Sequence, residues 1–158
     1  QNYTSGSVTN NSFITLEETL PVDTLEFDHL TETPELLKIV SNNEPRSYRF
    51  HAAVLRSNCR VTNQPDFGDV YIYFKSSSVI SPAGLLQYLV SFRNENHFHE
   101  EVCEMIYKRL WDLLKPEELF VQCNYTRRGG IDINPIRASS DTVFHENVTY
   151  EYARTQRQ

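Results

Sequence analysis

Three clusters in this 158-residue chain have the residue types and spacing to do chemistry. The first is Ser57-Asn58-Cys59-Arg60-Val61-Thr62-Asn63-Gln64-Pro65-Asp66, a polar stretch with a thiol and, seven residues on, a carboxylate. A free cysteine is ordinarily a small buried hydrophobe. Beside an arginine in a polar loop it is instead favoured as thiolate, the nucleophilic form. Asp66 reads as a turn residue following Pro65; Pro65 and Phe67 flank it and could help desolvate it. The second cluster is His97-Phe98-His99-Glu100. It opens a helix with Glu100 at the positive end of the dipole. Two histidines and a cysteine could also hold zinc, although the usual closed spacings are absent. The third is Tyr125-Thr126-Arg127-Arg128-Gly129-Gly130. Its cationic forks and flexible backbone N–H groups suit phosphate oxygens; the plainer reading is a surface turn with solvated arginines. No glycine fingerprint of a Rossmann dinucleotide unit is present.

The elements that must position these clusters follow from periodicity. Residues 1–12 are polar and small, with little to bury. Apolar residues alternate loosely from Phe13 to Leu30, which suits a strand or an extended arm. Thr33-Pro34-Glu35 reads as a short helix start. Tyr48, Phe50, Ala52 and Val54 alternate with polar neighbours and predict a strand that delivers the Cys59 loop. Asp69 to Lys75 is a second strand by residue type. Ser81 as N-cap and Pro82 at the first position open a helix. A second helix, ending before Pro116, carries an apolar stripe through Val102, Ile106 and Leu110, with Tyr107, Trp111 and Cys103 also assigned to the core. Leu119 to Tyr125 predicts a third strand, with Cys123 on its apolar face, and Ile131 to Ile136 a short fourth. The order is ββααββ: an α+β domain with two helices on one face of an antiparallel sheet. Beyond Ser139 the pattern is too polar to place.

The chain is 39% hydrophobic and 23% charged, which is globular, and long enough for one domain with a real core. A net charge of −6 argues against direct nucleic-acid binding, which wants a basic face. No apolar run is long enough to span a bilayer, and no secretory signal opens the chain. Three widely spaced cysteines without such a signal point to a reducing, cytoplasmic setting.

The segments SNCRVTNQPDFGDVYIY, YLVSFRNENHFHEE and YTRRGGIDINPIR, in that order, resemble the 7-cyano-7-deazaguanine reductases, the QueF family of nitrile reductases. The likeness runs from about Leu55 to Arg137 and is greatest to the second, catalytic module of the two-module form. It implies the tunnelling fold (T-fold), in which such units join edge to edge into a barrel with sites at the seams. It implies an NADPH-dependent oxidoreductase of queuosine biosynthesis, a tRNA-modification pathway. Cys59 is then the nucleophile that forms a thioimide with the nitrile of 7-cyano-7-deazaguanine, and Asp66 handles protons. His99 contacts the reacting nitrogen, Glu100 binds the base edge, and Arg128 and Gly129 meet the cofactor. The implied divisions are a leader or arm over 1–45, the catalytic module over 46–140 and a tail over 141–158. One-module members carry a Glu-Ser-Lys-Ser motif before the first helix; the corresponding SSSVISPAG of Ser76 to Gly84 lacks it. The resemblance therefore implies a homo-oligomer or a pairing with a first tunnelling-fold module. Two other readings stand beside it: a zinc-dependent pterin-type enzyme of the same fold, and a non-catalytic barrel half.

Overall fold

The structure, a computed structural model, describes residues 12–126 and 133–149. In chain order its elements are β1 (Ile14–Thr15), α1 (Leu16–Thr19), β2 (Ile39–Cys59), β3 (Pro65–Ile80), α2 (Pro82–Val90), β4 (Asn96–His97), α3 (His99–Leu114), β5 (Glu118–Tyr125), β6 (Ile136–Ala138) and α4 (Asp141–Asn147), with three short 3-10 turns between them. The sheet runs β1-β2-β3-β5-β6, with β4 also paired to β2. Its long pairings are antiparallel; only the two-residue strands β1 and β4 join β2 in parallel. The class is α+β, as the periodicity implies, but the order is longer than ββααββ by two short strands and two short helices.

The core lies between the sheet and the two main helices. Phe50 of β2, Val70, Ile72 and Phe74 of β3, and Leu119, Val121 and Cys123 of β5 meet Leu85, Leu86 and Leu89 of α2 and Val102, Cys103, Ile106 and Leu110 of α3. Period two on the strands and 3.6 on the helices puts these residues on facing surfaces. Ser81 caps α2 by accepting the Gly84 N–H at 3.1 Å, with Pro82 in the first turn. Trp111 is a correction: it is 42% exposed and stacks on half-buried Tyr107. Both lie one residue past the inward stripe of Ile106 and Leu110, and a step of about 100° per residue turns them toward solvent.

The hairpin of β2 and β3 decides where the chemistry goes. Buried residues of β2 fall on even numbers at Phe50 and Ala52, then on odd numbers at Leu55 and Ser57. A register shift between Ala52 and Leu55 re-phases the strand. Such a bulge places two residues against one and changes which side chains face inward. After it, Cys59 shares the phase of Leu55 and Ser57. Without it, Cys59 would project from the opposite face of the sheet.

Residues preceding β2 pack into the domain. Leu16 and Leu37 belong to the core, with Leu20, Val22, Leu25 and Phe27 packed against it. Glu32 Oε2 accepts from Tyr88 Oη at 2.7 Å and Arg109 Nε at 2.9 Å. Burial and the Glu32 carboxylate push the Tyr88 phenol well above its ordinary value. The boundary between residues 45 and 46 falls within β2, and residues 141–147 form α4, capped by Ser140. Val143 of that helix packs with Tyr73 and Phe120 on the sheet face away from α2 and α3.

Gly84 is where the arm and α2 touch. A Cβ there would lie 2.4 Å from the Leu36 carbonyl oxygen. Alanine is favoured over glycine in a helix by about 1 kcal/mol, but this clash is with backbone, which yields poorly. Gly84→Ala is expected to destabilise the fold by about 1–3 kcal/mol, read as a lower urea midpoint. An unchanged or higher midpoint would show that the arm is not held against α2.

Candidate active site

The polar stretch of the first cluster is a tight hairpin. Cys59 ends β2 and Asp66 lies one residue into β3. Between them the chain turns through Asn63, which has φ 62° in the left-handed region that asparagine tolerates. Cys59 N–H donates to Gln64 O at 2.7 Å, and Cys59 O accepts from Asn63 N at 2.8 Å. Ser57 is the register partner of Asp66 across the hairpin. Directly opposed residues of an antiparallel pair project from the same face, so Cys59, two residues beyond Ser57, reaches the same side as Asp66.

A third segment completes the enclosure. Strand β4 lies parallel to the end of β2, with Asn96 beside Asn58 and His97 beside Cys59. Helix α3 then starts at His99, with Glu101 accepting the Phe98 N–H at 2.9 Å. That N–H, helped by Arg60 and His97, holds the Glu101 carboxyl below the usual range. The pocket enclosed by these segments has a volume of about 210 Å³. Cys59, Asp66, His97, Phe98, His99, Glu100, Thr126 and Ile133 line it. A larger cavity of about 430 Å³ lies between the arm and α2; apart from Glu17 and Arg93 its walls are aliphatic or aromatic.

Within the pocket the residues differ in burial and partners. Cys59 is half-buried and forms no disulfide. Asp66 is 7% exposed, while Pro65 and Phe67 are exposed. Strand alternation turns those two neighbours outward, so they are not what shields the carboxylate. His99 is: its Nε2 lies 3.1 Å from Asp66 Oδ2. The imidazole in turn lies flat on Tyr125, with ring centroids 3.9 Å apart and planes 13° from parallel. The flat contact has its own requirement. Gly68 is the register partner of Tyr125, and a Cβ on it would come within 3.2 Å of the Tyr125 ring and 3.0 Å of Asn124 O. Burial holds the Tyr125 phenol well above its ordinary value, so it stays neutral under the histidine. Glu100 is exposed and lines the same pocket.

Four of the residues singled out from sequence, Cys59, Asp66, His99 and Glu100, thus line one pocket. Arg128 and Gly129 lie outside the described residues, although Thr126 and Ile133 on either side of that segment both line the pocket. Among the described residues, no three His, Cys, Asp or Glu side chains group as a metal site, and no helix is long and apolar enough to cross a membrane. Cys103 and Cys123 are fully buried, as their apolar phases predict. Sequence reasoning missed Tyr125 and Gly68 as the support of His99. It also missed Glu95, whose Oε1 lies 2.5 Å from His97 Nε2. Alternation of β5 marks Tyr125 as inward-facing, but nothing local marks its partner, 26 residues away in the chain.

Comparison with known proteins is consistent over different spans. The family model described as "QueF-like protein" matches residues 65–143. The NADPH-dependent 7-cyano-7-deazaguanine reductase of Albidiferax ferrireducens is 48% identical over 124 residues, 78% of this chain and 43% of that protein. The protein of the same name from Polaromonas naphthalenivorans is 44% identical over 139 residues, 84% of this chain and 49% of that one. The chain therefore spans less than half the length of these curated relatives. Among solved structures, the archaeosine synthase QueF-Like in the apo form aligns with a TM-score of 0.53 at 14% identity, covering 63% of this chain and 96% of that one. At that identity the likeness concerns the fold.

Proposed function

The chain belongs to the QueF-like protein family, and from that premise we propose that it is the cysteine-bearing module of a nitrile reductase. The substrate is 7-cyano-7-deazaguanine, the product 7-aminomethyl-7-deazaguanine and the reductant NADPH, within queuosine biosynthesis. The observation that carries the proposal is the gathering of Cys59, Asp66, His99 and Glu100 around one small pocket in which Asp66 and His99 are paired.

Each residue has a step. The Cys59 thiolate attacks the nitrile carbon; a C–S bond forms as one C–N π bond breaks, and the nitrogen takes a proton. The product is a thioimide on Cys59. Asp66, buried against His99, supplies that proton, and His99 contacts the same nitrogen and orients it. His99 is fixed for this by the Tyr125 ring beneath it. The exposed Glu100 carboxylate accepts from the ring N–H and amino group of the base, a paired donor edge that suits two oxygens. Taking the carbon from nitrile to amine would need two hydrides, one from each of two NADPH molecules bound in turn, and between them the C–S bond would break and Cys59 leave as thiolate. Arg128 and Gly129 are the residues proposed to hold NADPH; the Thr126 and Ile133 flanks of their segment, both at the pocket, support that fit. We take the fold to be a tunnelling fold that pairs with a second module or with copies of itself. The setting is the reducing cytoplasm, where Cys59 stays a thiol. Residues 46–140 are the catalytic module of this reading, and the arm packs onto it.

The test is an intact-mass measurement after mixing the protein with 7-cyano-7-deazaguanine in the absence of NADPH. One substrate mass gained and mapped to Cys59 supports the proposal. No adduct from folded protein, alone and with the remainder of a full-length relative supplied, overturns it. An adduct without turnover when NADPH is added would assign the missing step to the rest of the enzyme. Glu100→Leu is expected to leave the base edge unpaired and weaken substrate binding about 10²–10⁴-fold, measured by calorimetric titration. Unchanged affinity would remove Glu100 from the base site.

A further inference from the structure

We infer that Glu95 is a positioning residue for the Cys59 pocket, acting through His97 and tying that wall of the pocket to the N-terminal arm. The inference rests on Cys59 as the reacting group. It concerns residues to which neither the motif resemblance nor the mechanism above gives a role.

The argument starts from the weakness of β4. A strand of two residues has few ladder bonds of its own, yet it places His97 directly beside Cys59. Something else must hold it. Glu95, one residue before β4, does so at three points. Its Oε1 lies 2.5 Å from His97 Nε2. Its Oε2 accepts the backbone N–H of Glu32 at 2.8 Å. Its backbone carbonyl accepts the Asn58 N–H at 2.7 Å, next to Cys59. His97 Nδ1 lies 3.5 Å from Glu101 Oε1, so the ring has a carboxylate at each nitrogen and little freedom to swing. The Glu95 and His97 side chains are 21% and 20% exposed, which shields the contact from competing water.

The arm is a firm anchor for the far end. Glu32 has a side chain 7% exposed and is held by Arg109 and Tyr88. One residue further on, Thr33 N–H donates to Ser91 Oγ at 3.2 Å, and Leu30 O accepts from Asn94 N at 2.9 Å. Arm residues 30–33, upstream of the family-matched segment, thus clasp the loop that leads into β4. Glu95 passes that order to His97, and His97 holds the pocket wall beside the thiol.

A double-mutant cycle tests this. Unaltered protein, Glu95→Ala, His97→Ala and the double variant are compared by two rates at Cys59: alkylation by iodoacetamide, read by peptide mapping, and adduct formation with 7-cyano-7-deazaguanine. Glu95→Ala is expected to slow adduct formation about tenfold or more, the scale on which small misplacements of reacting groups act, and to shift the alkylation rate. In the His97→Ala background the same change should add almost nothing, because coupled residues are not additive. Glu95→Gln, which keeps an acceptor for the Glu32 N–H and a polar partner for His97, should restore most of the rate. Glu95→Leu, which keeps the bulk and removes both carboxylate oxygens, replaces Glu95→Ala in the cycle if that variant does not fold. Additive effects, or a lower urea midpoint with both Cys59 rates unchanged, would overturn the inference and leave Glu95 a purely structural residue. If the unaltered protein forms no adduct, alone and with the remainder of a full-length relative supplied, the nitrile reading fails, while the alkylation rates still decide the role of Glu95.

Discussion

Replacing Cys59 by alanine is expected to abolish both the covalent adduct with 7-cyano-7-deazaguanine and all nitrile-dependent oxidation of NADPH, with the fold intact. The fold should survive because Cys59 is a half-buried residue at the end of β2 and belongs to no core cluster. The chemistry should not survive, because no other thiol can take over. Cys103 and Cys123 are fully buried. Cys103 Sγ lies 3.5 Å from the carbonyls of Val121 and Pro135. The contact with Cys103 and burial together hold the Cys123 thiol well above its ordinary value, so it stays protonated. A thiol that is buried and protonated is no nucleophile. Intact-mass spectrometry after incubation reads the result directly. An adduct that persists in Cys59→Ala would move the reacting group elsewhere and undo the assignment. Cys103→Ala, with adduct formation unchanged, is the matched control.

Asp66→Asn is expected to lower turnover by about 10²–10⁴-fold, the range general acid–base groups contribute, while leaving the pocket's shape in place. The amide has the same outline and can still accept from His99 Nε2, now 3.1 Å from the carboxylate. What it loses is the transferable proton. His99 should stay flat against Tyr125, since that contact depends on ring stacking and on the room left by Gly68. The variant therefore separates proton supply from positioning. Steady-state turnover should collapse, while substrate affinity, measured by titration into Cys59→Ala/Asp66→Asn, stays within a few-fold of the Cys59→Ala value. If turnover instead falls less than tenfold, the proton comes from elsewhere in the pocket, and His99 or ordered water becomes the donor to examine.

How far the pocket could be read from the chain differs residue by residue. Cys59 and Asp66 stand out locally, because a thiol amid polar residues and an aspartate framed by Pro65 and Phe67 are visible in a ten-residue window. Their meeting required only a hairpin. His99 and Glu100 stand out as a polar opening of α3. Tyr125 does not, because its role depends on a ring 26 residues away and on a glycine in a neighbouring strand. Glu95 is a plain polar residue in sequence and His97 stands out only as a candidate zinc ligand; their pairing with Cys59 and with the arm spans up to 63 residues. The arm itself shows only loose alternation in sequence, since its apolar residues are spaced for docking onto other elements, and local periodicity carries no record of that.

What the chain determined by itself is the family, through three motifs in order, and the α+β class, through the alternation of β3 and β5 and the 3.6-residue stripes of α2 and α3. These are local properties: each follows from side-chain types repeating along one element, whatever lies opposite. What only the tertiary structure decided is which face Cys59 occupies, what holds His97 beside it, and that Trp111 lies outside the core. The first turns on a bulge between Ala52 and Leu55, and a bulge exists only relative to the partner strand. A one-residue change of phase moves every later side chain to the other face, and β2 alone cannot show whether it has occurred. The second rests on hydrogen bonds across long sequence separations. The third is a matter of about 100° on a helix whose inward face is set by the sheet it meets.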